Sequence, residues 1–550
     1  MANQNLERTI SIRTLHGEDV GATDYSEPLP VEVMRIEGNV EQNKHVIYWE
    51  PGDPDNPHNW SDVKKWIVSI IGIITVSNST FASSLPSGAV SYIKEDLNIA
   101  STELTSLTIS IFLIGYVVGP IFFAPVSEFY GRRWVSIIAF SWYTVMNIGC
   151  ALSPNIGALL AFRFLTGIGA SAPLSVTGGQ LADLWDDPVK RGRLMAVFCA
   201  CTMVGPTLAP FISGYISETA LGWRMAFWLG FIVAAISFIP LIFFCPETYA
   251  PILLLRRAQK MRTEGDIHAV APLELDDRSL KSIFATTLTR PFRMFWQEST
   301  VFFTSMFLSL LYGTFYLSFQ SFPMIYQDIY GFTPGTAGLF FLPLAVGAGL
   351  ACIGGIIWDS YCHRRQKQNP NVPLSPEFRR LPIGLLGGLA YCMSLFWQAW
   401  TARGDIHYIV PALSGIPFGF GFCIVFLAFL NYLTDAYEIY AASAMAAASM
   451  CRSLLGAAFP LFARIMYDKL TIPWASSLLA FAALGMSFIP ILFIRYGESI
   501  RARSKFCQFL LERKRILLEE EKAREASRAA SRSVSRAPSL KELALEKETV

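Results

Sequence analysis

GPIFFAPVSEFYGRR, residues Gly119 to Arg133, joins a glycine-proline helix end, an acid at Glu128, a glycine at Gly131 and the paired Arg132-Arg133 between two hydrophobic runs. A bilayer crossing needs roughly 20 mostly apolar residues. A charged cluster between two crossings must sit at a water-facing surface, because lipid satisfies neither a charge nor a free backbone group. The stretch is one junction in a row of twelve apolar runs, near 66–89, 104–126, 133–152, 156–182, 193–217, 225–245, 299–326, 334–358, 381–401, 407–434, 440–467 and 472–495. The chain reads as an all-α polytopic membrane protein with twelve transmembrane helices in two six-helix pseudo-repeats.

Composition agrees. Of 550 residues 52% are hydrophobic and only 16% charged, more apolar than a soluble domain of this length carries. The net charge of +2 gives no reason to expect a nucleic-acid partner. The ten cysteines fall mostly inside the runs without a CxxC pair, which reads as packing and predicts neither disulfides nor a metal site. No nucleophile triad, metal set or phosphate loop appears, so neither an enzyme nor a cofactor is expected.

Residues 1–65 are polar and acidic with no basic segment leading into an apolar core, so this tail is expected to stay in the cytoplasm without a cleaved signal. Lysine and arginine are retained on the cytoplasmic side. Loops that alternate to that side hold 18 of them, against only Lys94, Arg224, Arg403 and Lys469 on the other. Both termini are therefore expected inside. One inner loop, Thr434 to Tyr440, breaks the pattern with Asp435, Glu438 and no base.

The pattern repeats: a bundle over 66–245, a charged linker over 246–297, a second bundle over 298–495 and a charged tail over 496–550. The junction after span 2 has an echo after span 8 in Gly354-Gly355, Asp359 and Arg364-Arg365. Repeated halves around a midplane cavity are the architecture of alternating-access carriers.

These residues resemble the major facilitator superfamily, over about 59–496. Glu128, Gly131, Arg132 and Arg133 match the family's loop after span 2, with Ala124 where a glycine is usual. Arg163, Gly167 and Gly169 match an arginine with a glycine-rich helix in span 4. Gly205-Pro206, Pro210 and Gly214 match the bend of span 5 that looks like a mark of drug exporters. NPHNW (Asn56 to Trp60), GWRMAFW (Gly222 to Trp228) and PETYAPILL (Pro246 to Leu254) look like the fungal twelve-span drug:proton antiporters. The resemblance implies export of small organic molecules, xenobiotics or self-made toxic metabolites, in exchange for protons across the plasma membrane.

Each pattern also has a plain physical reading. Glu128 and the twin arginines, with Gly119 at the helix end, suit a gate in which an acid meets a base on the neighbouring half; arginines after a span also simply anchor it. Arg163, at the start of an apolar span, either faces the interior, where the resemblance makes it a tuner of the coupling proton, or snorkels to the interface. On the first reading Arg163→Ala abolishes transport and leaves folding intact. Gly205, Pro206, Pro210 and Gly214 make span 5 a hinge, or only a closely packed helix. Arg452 in span 11 reads as the counterpart of Arg163, or as a charge reaching inner water.

Asn78, Asn147, Gln180, Tyr312, Tyr316, Gln320, Tyr391, Gln398 and Asn431 are candidates to line a cavity, beside a packing alternative. No carboxylate falls near mid-bilayer; Asp183, Glu247, Asp359 and Asp435 all stand at inner ends. Proton entry through Asp183 or Glu128 and an uncoupled facilitator both remain open, and neutral, hydrophobic or anionic cargo fits better than polyamines. In the tail, arginine-x-x-serine recurs at Ser527, Ser531, Ser535 and Ser539, a spacing that suits a basophilic kinase and equally a solvated tail. Phe506, Phe509 and Leu510 among bases suit the inner membrane face. A transporter-like sensor is the reading from another class; it would be expected to carry a longer signalling extension.

Overall fold

The computed structural model describes residues 45–50, 52–274, 280–369, 375–504, 506–512, 515–516 and 519. The four serines of the tail repeat lie outside them. The first bundle comprises span 1 (Asp62–Ser84, then a 3-10 turn Leu85–Ala89 and Val90–Asp96), span 2 (Thr102–Tyr130), span 3 (Arg132–Ala151), span 4 (Ile156–Leu184), span 5 (Pro188–Glu218) and span 6 (Arg224–Phe244). The second has span 7 (Ser299–Pro323), span 8 (Pro334–Leu339 and Leu342–Gln368), span 9 (Pro376–Thr401) and span 10 (Ile409–Leu413 and Gly415–Tyr437), followed by the helices Ala441–Met486 and Ile489–Arg503.

Eleven helical stretches among the described residues are long and apolar enough to cross a bilayer, the last of them Ala441–Arg503 with 63 residues. A straight helix of that length would run roughly 95 Å, about three bilayer cores. The chain instead reverses at Thr471 (φ 64, ψ 161). The Tyr467 hydroxyl lies 3.2 Å from Ser476 Oγ, whereas nine residues of straight helix would part them by roughly 13 Å. The stretch thus holds spans 11 and 12, in agreement with twelve crossings.

At the end of the molecule that carries the linker, tail and linker join. Strands His45–Val46 and Ala269–Val270 pair in parallel, and Ile47 packs with Leu254 and Ala258 of the linker helix Ala250–Thr263 and with Ala269 and Ala271 beyond it. Strands of two residues lie below any periodicity that the sequence displays. Asp53 and Arg257 form an ion pair beside them. Burial pushes the Asp53 carboxyl up, but the Arg257 hydrogen bond, the Asp55 N–H and the Arg257 charge together hold it below its usual 3.8. A depressed folded-state pKa contributes stability that is present above 3.8 and is lost as pH falls through the lower value. Spin labels at E50C and R256C are therefore expected to keep one sharp distance at pH values above 3.8 and to broaden only as pH falls below it.

The segment after span 12 does not lie on the membrane face. Phe506, Cys507 and Leu510 are buried in the second bundle, with Phe506 5.1 Å from the Tyr440 ring. Its apolar residues serve packing because span 10 ends in Tyr437 and Tyr440 follows, offering an aromatic surface to cover.

The bundles meet at three levels. Far from the linker, span 5 touches span 8 backbone to backbone: a Cβ added at Gly214 would fall 2.7 Å from Gly335 Cα, and one at Gly338 2.5 Å from Phe211 Cα. Glu218 there accepts the Gly335 N–H at 2.6 Å. Midway, Ser83 and Tyr316 hydroxyls lie 2.8 Å apart, and Cys423 meets Met203 sulfur at 3.6 Å. At the linker end, Arg193 donates to Ser360 at 3.5 Å.

Candidate functional site

Span 2 ends at Tyr130, and Gly131 turns the chain into span 3 with φ 96, a conformation that favours glycine. An added Cβ there would also lie 2.2 Å from Glu247 Oε2. Glu247, from the PETYAP stretch after span 6 and 4% exposed, caps span 3 from outside. It accepts the N–H groups of Arg132 (2.9 Å) and Arg133 (3.2 Å), and those of Thr248 and Tyr249 at 3.0 Å each. A carboxylate on an open helix N-terminus satisfies orphan donors and meets the positive end of the dipole. Glu247→Ala should therefore cost about 1–2 kcal/mol, read as a lower unfolding temperature, with Glu247→Gln retaining part of it.

Arg132 pairs with Asp183 at the end of span 4, and its guanidinium sits 5.0 Å from the Tyr249 ring centroid. Arg133 donates to Ile242 O at 3.2 Å, and Glu128 lies half-buried in the last turn of span 2. The partners of both arginines belong to spans 4 and 6 and to the stretch that follows span 6, so these two bases are held beside their own bundle. The reason is the turn at Gly131, which aims Arg132 along span 4. Gly119 likewise serves packing inside one bundle, for a Cβ there would fall 2.6 Å from Ile168 O.

The echo in the second bundle is real but uses other bases. Asp359 pairs with Arg380 at 3.3 Å and Arg379 at 3.6 Å, and Arg380 also reaches Asp435 at 2.8 Å. Arg364, the base expected there, is exposed. Span 8 continues as helix to Gln368, so Arg364 stands five residues from Asp359, about 140° around the axis. Arg132–Asp183, from the start of span 3 to the end of span 4, repeats as Arg380–Asp435, from span 9 to span 10. That pairing explains the acidic inner loop, since Asp435 answers a base on the neighbouring span.

Arg163 is fully buried and does not snorkel. Its Nη1 donates to Ala82 O and Nη2 to Ser83 O, both at 2.7 Å, and Nε to Thr108 O at 2.9 Å. Phe112 lies 4.4 Å from the guanidinium carbon. Pro86 has no N–H to give Ala82 O four residues back, so span 1 breaks there, and Arg163 takes the freed carbonyl. The same logic operates in span 5. Pro210 leaves Pro206 O unbonded within its helix, and Ser84 Oγ supplies the donor at 2.8 Å. The helix Pro188–Glu218 continues through both prolines, with Gly205 set against span 1, where a Cβ would lie 2.5 Å from Ser77 O.

The cavity candidates divide. Asn78 accepts from Tyr143 at 2.9 Å and donates to Ser237 at 3.2 Å; Asn147 donates to Tyr143 O at 2.8 Å; Gln180 reaches Cys245 sulfur. Tyr391 donates to Leu311 O at 3.3 Å, Gln398 is buried in span 9 and Asn431 half-buried in span 10. The first three pack the first bundle and Tyr391 packs the second. Tyr312, Tyr316 and Gln320 instead share one face of span 7 at four-residue steps, where the bundles meet. Tyr316 binds Ser83 of span 1, and Gly456 of span 11 is close enough to Tyr312 and to Leu113 of span 2 that a Cβ would lie 2.7 and 3.3 Å from them.

Arg452 joins this face, with its guanidinium carbon 5.3 Å from the Tyr312 ring and 5.6 Å from Phe426. It is no counterpart of Arg163, whose three nitrogens all reach carbonyls. Residues that sequence reasoning missed here are Ser79, whose hydroxyl bonds Tyr116, Ser83, and Phe422 stacked on Phe426 at 4.5 Å. The four-residue step from Phe422 to Phe426, facing the Tyr312-Tyr316 step, was the available signal.

Comparison with known proteins places this geometry. Residues 72–460 match the Major Facilitator Superfamily. The MFS-type efflux pump MFS2 of Trichophyton rubrum is 37% identical over 91% of this chain and 84% of its own length. Efflux pump FUB11 of Gibberella moniliformis is 39% identical over 86% and 79%, and the multidrug transporter mdrA of Aspergillus fumigatus 36% over 85% and 76%. Among solved structures, the proton:xylose symporter XylE shares the fold with TM-score 0.58 at 18% identity, over 79% of this chain and 96% of that one. Human MFSD10 does so at 0.51 and 16%, over 78% and 99%. With its repeated ion pairs, broken first span and seam between two bundles, the chain belongs to the Major Facilitator Superfamily.

Proposed function

We propose that this chain exports small organic molecules by alternating access, in exchange for protons, from a cytoplasm that faces the linker end. The two bundles, 66–245 and 298–495, rock about the middle of the seam. The observation that carries the reading is the contact of Gly214 with Gly335, a close backbone fit between bundles that is tied by one hydrogen bond, from the Gly335 N–H to Glu218. Relatives named efflux pumps and multidrug transporters, 36–39% identical over most of the chain, support the outward direction. The proton site belongs to the linker-end acids, with the half-buried Asp183 beside Arg132 as the first choice; the buried carboxylates of the spans, Asp359 and Glu377, stand near the same end. The plasma membrane is the proposed address.

The test is accumulation of labelled toxins, azoles, polyamines and organic acids in a pump-deficient yeast expressing the chain, with and without a protonophore. Lower accumulation that the protonophore restores is the expected result. Export that survives loss of the gradient would overturn proton coupling, and unchanged accumulation of every class would overturn export.

A further inference from the structure

Among the described residues, Arg163 and Arg452 stand inside the helical bundles, and they differ in one respect. Arg163 has a carbonyl on each nitrogen. Arg452 has no hydrogen bond or ion pair among the described residues, and its Nε is buried without a partner. It lies eleven residues into the helix Ala441–Met486, roughly 16 Å from the linker-side end and so about half-way through a bilayer core. A charge at that depth is expensive and is kept where it faces a cavity or a ligand.

Its surroundings are rich in donors and poor in acids. Gln320 Nε2, two turns along the Tyr312-Tyr316 face, is likewise buried without a partner. Tyr312, Phe422 and Phe426 form a run of rings beside the guanidinium, with centroids 4.5–6.5 Å apart. No described carboxylate pairs with Arg452. We propose that Arg452 binds the carboxylate of an organic anion whose flat or apolar body lies along these rings, which makes the cargo acidic and disfavours cations. This assignment rests on the exporter reading above and adds the substrate class to it.

The experiment uses the full chain in phosphatidylcholine nanodiscs for binding and in proteoliposomes for flux, with benzoate, 4-butylbenzoate and 1-naphthoate, each beside its primary amide. A charge-assisted hydrogen bond is expected to favour at least one acid over its amide by about 10-fold or more. Arg452→Gln should remove that preference while amide binding stays constant, and Arg452→Lys should keep part of it. Because the unliganded charge has no partner, Arg452→Met should unfold at the wild-type temperature or above. Equal binding of acids and amides throughout, binding of neither, or an acid preference that survives Arg452→Gln would each overturn the anion site. An Arg452→Met protein that unfolds well below wild type would overturn it too, by showing a structural arginine. Acid binding without any flux would leave the site standing and count against export.

Discussion

Arg163→Ala is expected to abolish transport and to lower the unfolding temperature, both from one cause. The substitution removes three interhelical hydrogen bonds at once and leaves the carbonyls of Ala82, Ser83 and Thr108 without their donor. Such bonds are each worth roughly 0.6–1.7 kcal/mol in membrane proteins, so the loss is on the order of 2–5 kcal/mol. The function suffers more than that figure conveys. Arg163 holds the break in span 1, and Ser83 at that break carries the hydroxyl that meets Tyr316 of the other bundle. Arg163→Lys should fare little better, since one ammonium cannot reproduce a fork aimed at three separate oxygens. Flux in proteoliposomes and thermal unfolding of the same preparations decide it. Wild-type values for the alanine variant in both would refute the clip, and lost flux with unchanged stability would return Arg163 to a purely coupling role.

Gly214→Val should stop turnover with less damage to the fold. Its Cβ would meet Gly335 Cα at 2.7 Å and Pro334 O at 2.8 Å. Those atoms are backbone and belong to the other bundle, so neither wall can yield by a rotamer change. A misfit of this size costs about 3 kcal/mol, enough to shift the far-closed state about 100-fold. Transport should fall by a similar factor. Labels on L221C and R403C, placed on exposed residues of the two bundles in a cysteine-free background, should report a longer distance than in the parent. An unaltered distance with unaltered flux would mean that this contact does not close during the cycle.

The helical architecture was legible because twelve apolar runs leave few alternatives once lipid forbids unpaired backbone. Even the reversal at Thr471 fell between the two runs assigned to spans 11 and 12. Pairings were less legible. Asp359 and Arg364 look alike in sequence to Glu128 and Arg132, but one pair shares an unbroken helix and the other is parted by a glycine turn. That difference sends Asp359 to Arg379 and Arg380. The polar residues inside spans were legible only as alternatives, packing or cavity: Asn78, Asn147 and Gln180 find partners within their own bundle, and a string of letters does not show which face of a helix looks inward. The sequence left Arg163 between the interior and the interface, and its partners are backbone carbonyls, which no side-chain pattern marks. Pro86 and Pro210 were the legible half of those bonds, since each frees a carbonyl four residues earlier.

The repeated pairs Arg132–Asp183 and Arg380–Asp435 each close within one bundle. Passing between access states then requires no rupture of these ion pairs, and the barrier there is set by contact between small residues and rings. Turnover governed in this way would respond to temperature and to the lateral pressure of the lipid far more than to ionic strength.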